Sequence, residues 1–110
     1  MPRKKTLAFG LVTLALALPA CGADIAAGEK KANEVCAACH GPDGNKPIAP
    51  EYPKLGGQHR DYLAKTLKDY KSGARTNPIM AGQAQALTNK EIEDLAAYYA
   101  SRPSTLVTKR

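Results

Sequence analysis

The sequence predicts an all-α domain: three main helices joined by long ordered loops. Three observations carry this. Apolar residues recur at helical spacing in two segments, His59 to Ser72 and Thr88 to Arg102. A stretch from Ala26 to Val35 is rich in Ala, Lys and Glu, all good helix formers. Strand-type alternation of apolar and polar side chains is missing along the chain.

The chain has 110 residues, so one domain is the default. Residues 1–23 read as an export signal rather than as part of the fold. Arg3, Lys4 and Lys5 form a basic start, and Leu7 to Ala20 is an apolar run too short to span a bilayer comfortably. Ala20, Gly22 and Ala23 supply small residues for cleavage. Cutting after Ala23 makes 24–110 the mature domain. Three of the 16 basic residues leave with the leader and none of the 10 acidic ones, so the formal charge falls from +6 to +3. With no basic stripe and no reader motif, nucleic acid is not an expected partner. Leu18-Pro19-Ala20-Cys21 partly resembles a lipid-attachment signal, with Pro19 unusual in it. Lipidation of Cys21 would make a membrane anchor; cleavage after Ala23 would discard it.

In the mature part, Asp24 can cap a helix starting near Ala26. Gly28 sits early in that helix, where Gly costs up to ~1 kcal/mol against Ala; close approach of another helix would explain it. Gly41 to Asn45 breaks the chain, and Pro42, Pro47, Pro50 and Pro53 keep the stretch up to Gly57 as ordered loop. The second helix carries Tyr62, Leu63, Thr66, Leu67 and Tyr70 on one side and stops at Gly73. Ala74 to Gln85 reads as a loop around Pro78-Ile79-Met80. Thr88-Asn89-Lys90-Glu91 is a capping box that opens the last helix. Pro103 ends it, and a frayed tail is expected from about Ser104.

The chemistry concentrates in Cys36-Ala37-Ala38-Cys39-His40. Two cysteines separated by two residues and followed at once by histidine read as a c-type haem attachment site. Each thiol adds across one porphyrin vinyl group, and His40 becomes the proximal iron ligand. A zinc site would need about four ligands, and no second Cys pair is present. A thioredoxin-like pair would lie in a βαβ pattern, whereas these flanks read as helix and Gly-rich loop. Haem c, one per chain, is therefore the expected cofactor. An apolar macrocycle also suits a mature domain too small to build a large core.

The opposite face of the iron needs its own ligand or stays open. Met80 is the one methionine of the mature part, 40 residues after His40. A loop methionine between Pro78 and Gly82 is poorly placed for core packing, the usual role of this side chain. A thioether there favours ferrous iron. His59 is the competitor, but it follows Gly56-Gly57-Gln58 and sits beside Arg60 and Asp61, a setting for a solvated histidine.

Together these motifs resemble a class I c-type cytochrome, and more closely the single-domain cytochrome c4/c553-like group. The resemblance rests on Cys36 to Asn45, Pro53-Lys-Leu-Gly-Gly-Gln58, Tyr62-Leu63, Tyr70-Lys-Ser-Gly73, Met80-Ala-Gly82 and Leu95-Ala-Ala-Tyr98-Tyr99. It covers nearly all of 24–103. It implies the class I cytochrome c fold wrapped around one covalent haem, with Met80 as distal ligand. It also implies crossed first and last helices, with Gly28 against Tyr98. In such proteins a loop proline carbonyl accepts the Nδ1 proton of the proximal histidine; Pro50 is the candidate here. Gln83 stands where the group often has a second methionine.

A His/Met iron leaves no position for substrate, so the expected role is a periplasmic electron carrier with no catalytic residue. Its expected partners are redox proteins: a quinol-oxidising complex upstream and a terminal oxidase or other reductase downstream. A dedicated haem subunit of a dehydrogenase or oxidase complex is the alternative. A ligand-binding or peroxidatic haem with a dissociable Met80 is a weaker one, and haem storage is weaker still, since thioether bonds oppose release.

Overall fold

The computed structural model describes residues 1–14 and 22–106. Residues 1–14 are exposed and carry no regular secondary structure. Cys21 and residues 107–110 lie outside the described residues, and with them the question of lipidation. Among the described residues every regular element is helical. None of these helices is long and apolar enough to cross a membrane.

Helix α1 (Ile25–Lys31) begins at Asp24, whose carboxylate accepts the Ala27 amide at 3.1 Å. The helix does not end near Val35 as its composition suggests. It widens into one π-helical segment, Ala32–Cys36, in which the Ala37 amide reaches the Ala32 carbonyl, and then continues as α2 (Ala37–His40). The cysteine pair and His40 therefore sit on the end of a long helical run. Helix α3 (Arg60–Ser72) starts after His59 and stops at Gly73, whose φ of 85° suits a residue without Cβ.

The segment expected as loop contains a helix, α4 (Pro78–Gln85). Asn77 caps it: its side-chain oxygen accepts the amides of Ile79 at 3.0 Å and Met80 at 3.1 Å. Pro78 stands in the first turn, where its missing N–H costs nothing. Helix α5 (Asn89–Ala100) has the capping box in full, with Thr88 Oγ1 accepting the Glu91 amide and Glu91 accepting the Thr88 amide.

Helix α5 is the hub, packing against both α1 and α3. It crosses α1 where Gly28 lies: a Cβ added there would stand 2.1 Å from the Asp94 carbonyl oxygen and 2.9 Å from Tyr98 Cβ. The expected pairing of Gly28 with Tyr98 is thus present. Ile92 and Leu95 are the largest fully buried side chains, joined by Ala32, Leu63, Leu87, Ala96, Tyr98 and Tyr99. At the surface Glu93 meets Lys68 and Arg60 of α3, and Glu91 meets Lys31 of α1 at 2.9 Å. Exposed pairs of this kind contribute up to about 1 kcal/mol each.

The stretch after α5 is held at Pro103 and Thr105. Asn45, itself buried, donates from Nδ2 to the Pro103 carbonyl at 2.8 Å and accepts the Thr105 hydroxyl at 3.1 Å. One side chain ties the loop after α2 to the segment after α5.

Candidate haem site

A cavity of about 720 Å³ opens between α2, α3, α4 and α5. That lies within the roughly 300–1,000 Å³ of cofactor clefts. Cys36, Cys39 and His40 line it from α2 and the π segment, and Met80 with Ile79 and Gln83 from α4. Leu63, Leu67, Leu95, Ala96 and Tyr99 form the apolar floor, with Leu106 closing in from the chain end.

His40 is 6% exposed, and its Nδ1 stands 2.8 Å from the Pro53 carbonyl oxygen. Nδ1 donates to that carbonyl, which leaves the Nε2 lone pair for a metal. The acceptor is Pro53, not Pro50. A turn from Ala49 to Tyr52, closed by the Tyr52 amide on the Ala49 carbonyl at 3.1 Å, carries the chain past Pro50. Both prolines are exposed to solvent, but only Pro53 lines the cavity. The Tyr52 ring packs edge-on to His40 with centroids 6.2 Å apart, a second restraint on the imidazole. The Cys39 carbonyl accepts the Ile48 amide at 3.1 Å, which folds the loop back under the motif.

On the facing wall Met80 is half-buried in the first turn of α4. The Asn77 bond to its amide sets its height. His59 is exposed, at the start of α3, and does not line the cavity. Of the two distal candidates only Met80 shares a chamber with His40. Arg75 lies at the rim, its guanidinium 5.2 Å from the centroid of the Tyr70 ring, and the Tyr62 hydroxyl beside it holds its pKa above the ordinary arginine value. Burial pushes the Cys36 thiol up, although Tyr99 and Lys31 oppose this.

Three residues that matter here carried no site role in the sequence reading: Pro53 through its carbonyl, and Asn77 and Asn45 through their side chains. The Asn77-Pro78 pair was a readable signal, being a capping residue followed by proline at the first helical position. Pro53 and Asn45 depend on how distant loops meet and have no local signature.

The family model for cytochrome c matches residues 25–102. The chain belongs to the cytochrome c family. It is 54% identical to a cytochrome c4 of Thiocapsa roseopersicina over 82 residues, which is 74% of this chain and 42% of that protein. It is 37% identical over 100 residues to a thiosulfate dehydrogenase electron acceptor of Stutzerimonas stutzeri, covering 86% of this chain and 46% of that protein. Among solved structures, the reduced recombinant cytochrome c4 of Pseudomonas stutzeri superposes with a TM-score of 0.64 at 39% identity. That match covers 74% of this chain and 51% of the other. The chain thus spans about half the length of these relatives. Covalently bound haem c is the cofactor of this c4-like cytochrome.

The residues present fit that group. The cavity is apolar and of cofactor size, two thiols stand at one edge, and an imidazole with one nitrogen already engaged faces the chamber. Tyr99 adds a diagnostic detail. Its hydroxyl is buried on the cavity wall and has no hydrogen-bond partner among the described residues. Such an orphan polar atom is expected where a bound group completes the site.

Proposed function

We propose that this cytochrome is a periplasmic electron carrier. In it Cys36 and Cys39 attach the haem, and His40 and Met80 hold its iron. One observation carries the reading: both cysteines, His40 and Met80 line a single cavity, with His40 oriented by Pro53. When bound, the haem supplies a one-electron ferric/ferrous couple. The protein's residues do the rest. Pro53 fixes the imidazole plane and increases its basicity. Asn77 and Pro78 hold the turn that bears Met80, so both ligands keep their places in either oxidation state. Leu63, Leu67 and Leu95 exclude water from the interior. With His40 and Met80 both holding the iron, the site would favour electron transfer over oxygen chemistry.

A direct test has two arms. Protein isolated from the periplasm should keep its haem after denaturation, because thioether bonds survive unfolding. The native ferrous form should be oxidised and reduced reversibly without binding carbon monoxide at neutral pH. Haem lost on denaturation, or rapid stoichiometric binding of carbon monoxide, would contradict the proposal.

A second reading is a dedicated haem subunit serving one dehydrogenase. The likeness to a named thiosulfate dehydrogenase electron acceptor favours it. Co-purification with one dehydrogenase, and electron exchange confined to it, would select this reading over a diffusing shuttle.

A further inference from the structure

We propose that Tyr99 donates a hydrogen bond from its hydroxyl to the Cys36 sulfur and thereby raises the reduction potential of the haem. The inference rests on attachment of the haem through Cys36, as proposed above.

Two adjacent tyrosines on α5 make the contrast. Tyr98 and Tyr99 are both 3% exposed, with ring centroids 5.0 Å apart. The Tyr98 hydroxyl is satisfied by the Pro42 carbonyl at 3.1 Å and does not line the cavity. The Tyr99 hydroxyl is the one buried side-chain polar atom among the described residues without a partner. Leaving a buried hydroxyl unmet is destabilising, so a built site should meet it.

Little freedom remains to the ring. A Cβ on Gly44 would fall 2.9 Å from its Cδ1 and Cε1 atoms, so the loop backbone closes one edge of the ring. Tyr98 covers part of the rest. Cys36 packs against the same core cluster and lines the same cavity. Burial and the neighbouring Cys36 push the Tyr99 hydroxyl far above its ordinary range. It is therefore a neutral donor at every working pH. Once Cys36 is alkylated, its sulfur has no proton to give and keeps only acceptor lone pairs. The sulfur of Cys36, the neighbour of the hydroxyl on the cavity wall, is then an acceptor that the hydroxyl can meet as the site is completed. A donor on a macrocycle substituent withdraws electron density and stabilises the electron-richer ferrous state, as hydrogen bonds around haems and clusters do.

The test uses the holoprotein and its Tyr99→Phe and Tyr98→Phe variants. Tyr99→Phe keeps the ring, so folding is preserved. The equilibrium constant for reduction should fall about two- to fivefold, the scale of one neutral hydrogen bond partly redistributed between redox states. The carbon–sulfur stretching vibration of the Cys36 thioether should shift. Exchange of the wild-type protein into D2O should move the same vibration, which needs no variant. Tyr98→Phe should reduce stability and leave potential and vibration in place. An unchanged potential in Tyr99→Phe would overturn the proposal. So would an altered potential with the carbon–sulfur vibration unmoved, since the acceptor would then be another atom, such as a trapped water. Equal shifts in both variants would reduce Tyr99 to a structural role. Haem retention on denaturation tests the attachment itself and fails separately.

Discussion

Asp94 shows how one side chain can join the start of the fold to its end. It is 3% exposed; its Oδ1 accepts the Asp24 amide at 2.8 Å and its Oδ2 the Lys90 ammonium at 2.6 Å. Burial pushes the carboxyl up, but Lys90 and the Asp24 amide outweigh burial and hold it below its ordinary 3.8. A carboxyl lowered on folding adds stability above its unfolded value, and that stability is lost as pH falls through the folded value. Below about pH 4, wild type should therefore lose more of its denaturant resistance than Asp94→Asn does, relative to pH 7. Parallel curves for the two proteins would count against this. Cleavage after Ala23 would turn the Asp24 amide into an α-ammonium and strengthen the bond. At this scale the sequence was legible where a role depends on type and spacing, as for Cys36, Cys39 and His40. It was not legible where a role depends on a distant loop. The Pro53 carbonyl has the same chemistry as that of Pro50, and only the turn at Ala49 to Tyr52 distinguishes them.

Among the elements, the α1–α5 crossing bears most of the architecture. Gly28→Ala would drive a Cβ to 2.1 Å from the Asp94 carbonyl oxygen, and backbone cannot yield as a flexible side-chain end can. A loss of about 2–3 kcal/mol is expected, at the upper end for overpacking, read as a lowered denaturation midpoint of the holoprotein. Thr88→Ala removes one half of the capping box and should cost about 1 kcal/mol. A Gly28→Ala variant no less stable than Thr88→Ala would show that the crossing can relax. The capping box and the Asp24 cap were readable because they are local and bond to amides three residues on. Helix α4 was hidden by its composition: eight residues with Pro at one end and Gly82 inside read as loop. The continuation of α1 into α2 was hidden for another reason. A π segment disrupts the helical period over which apolar positions are counted.

For the whole molecule, the apolar core is modest and surrounds the cavity instead of filling it. Cys36→Ala with Cys39→Ala should therefore prevent accumulation of folded protein, because a domain this small lacks a self-sufficient core. A stable, folded double variant without haem would contradict this. Electron-transfer partners form small, short-lived complexes. Ile79 is 55% exposed at the mouth of the cavity, beside Met80, and Lys54 also lines that mouth, whereas Lys46 is exposed away from it. Ile79→Glu should slow electron exchange with an acidic redox partner more than Lys54→Ala or Lys46→Ala does. Raising salt should slow wild type only moderately if removal of residues 1–23 leaves the net charge at +3. Stopped-flow rates at several ionic strengths check both. The central claim is that Met80 completes the iron's coordination opposite His40. The most direct measurement is the absorption spectrum of oxidised holoprotein for wild type, Met80→Ala and His59→Ala, each then reduced and exposed to carbon monoxide. The prediction is a weak sulfur-to-iron band in wild type and His59→Ala, absent in Met80→Ala, which alone binds carbon monoxide rapidly. Loss of the band and gain of carbon monoxide binding in His59→Ala, with Met80→Ala unchanged, would contradict it.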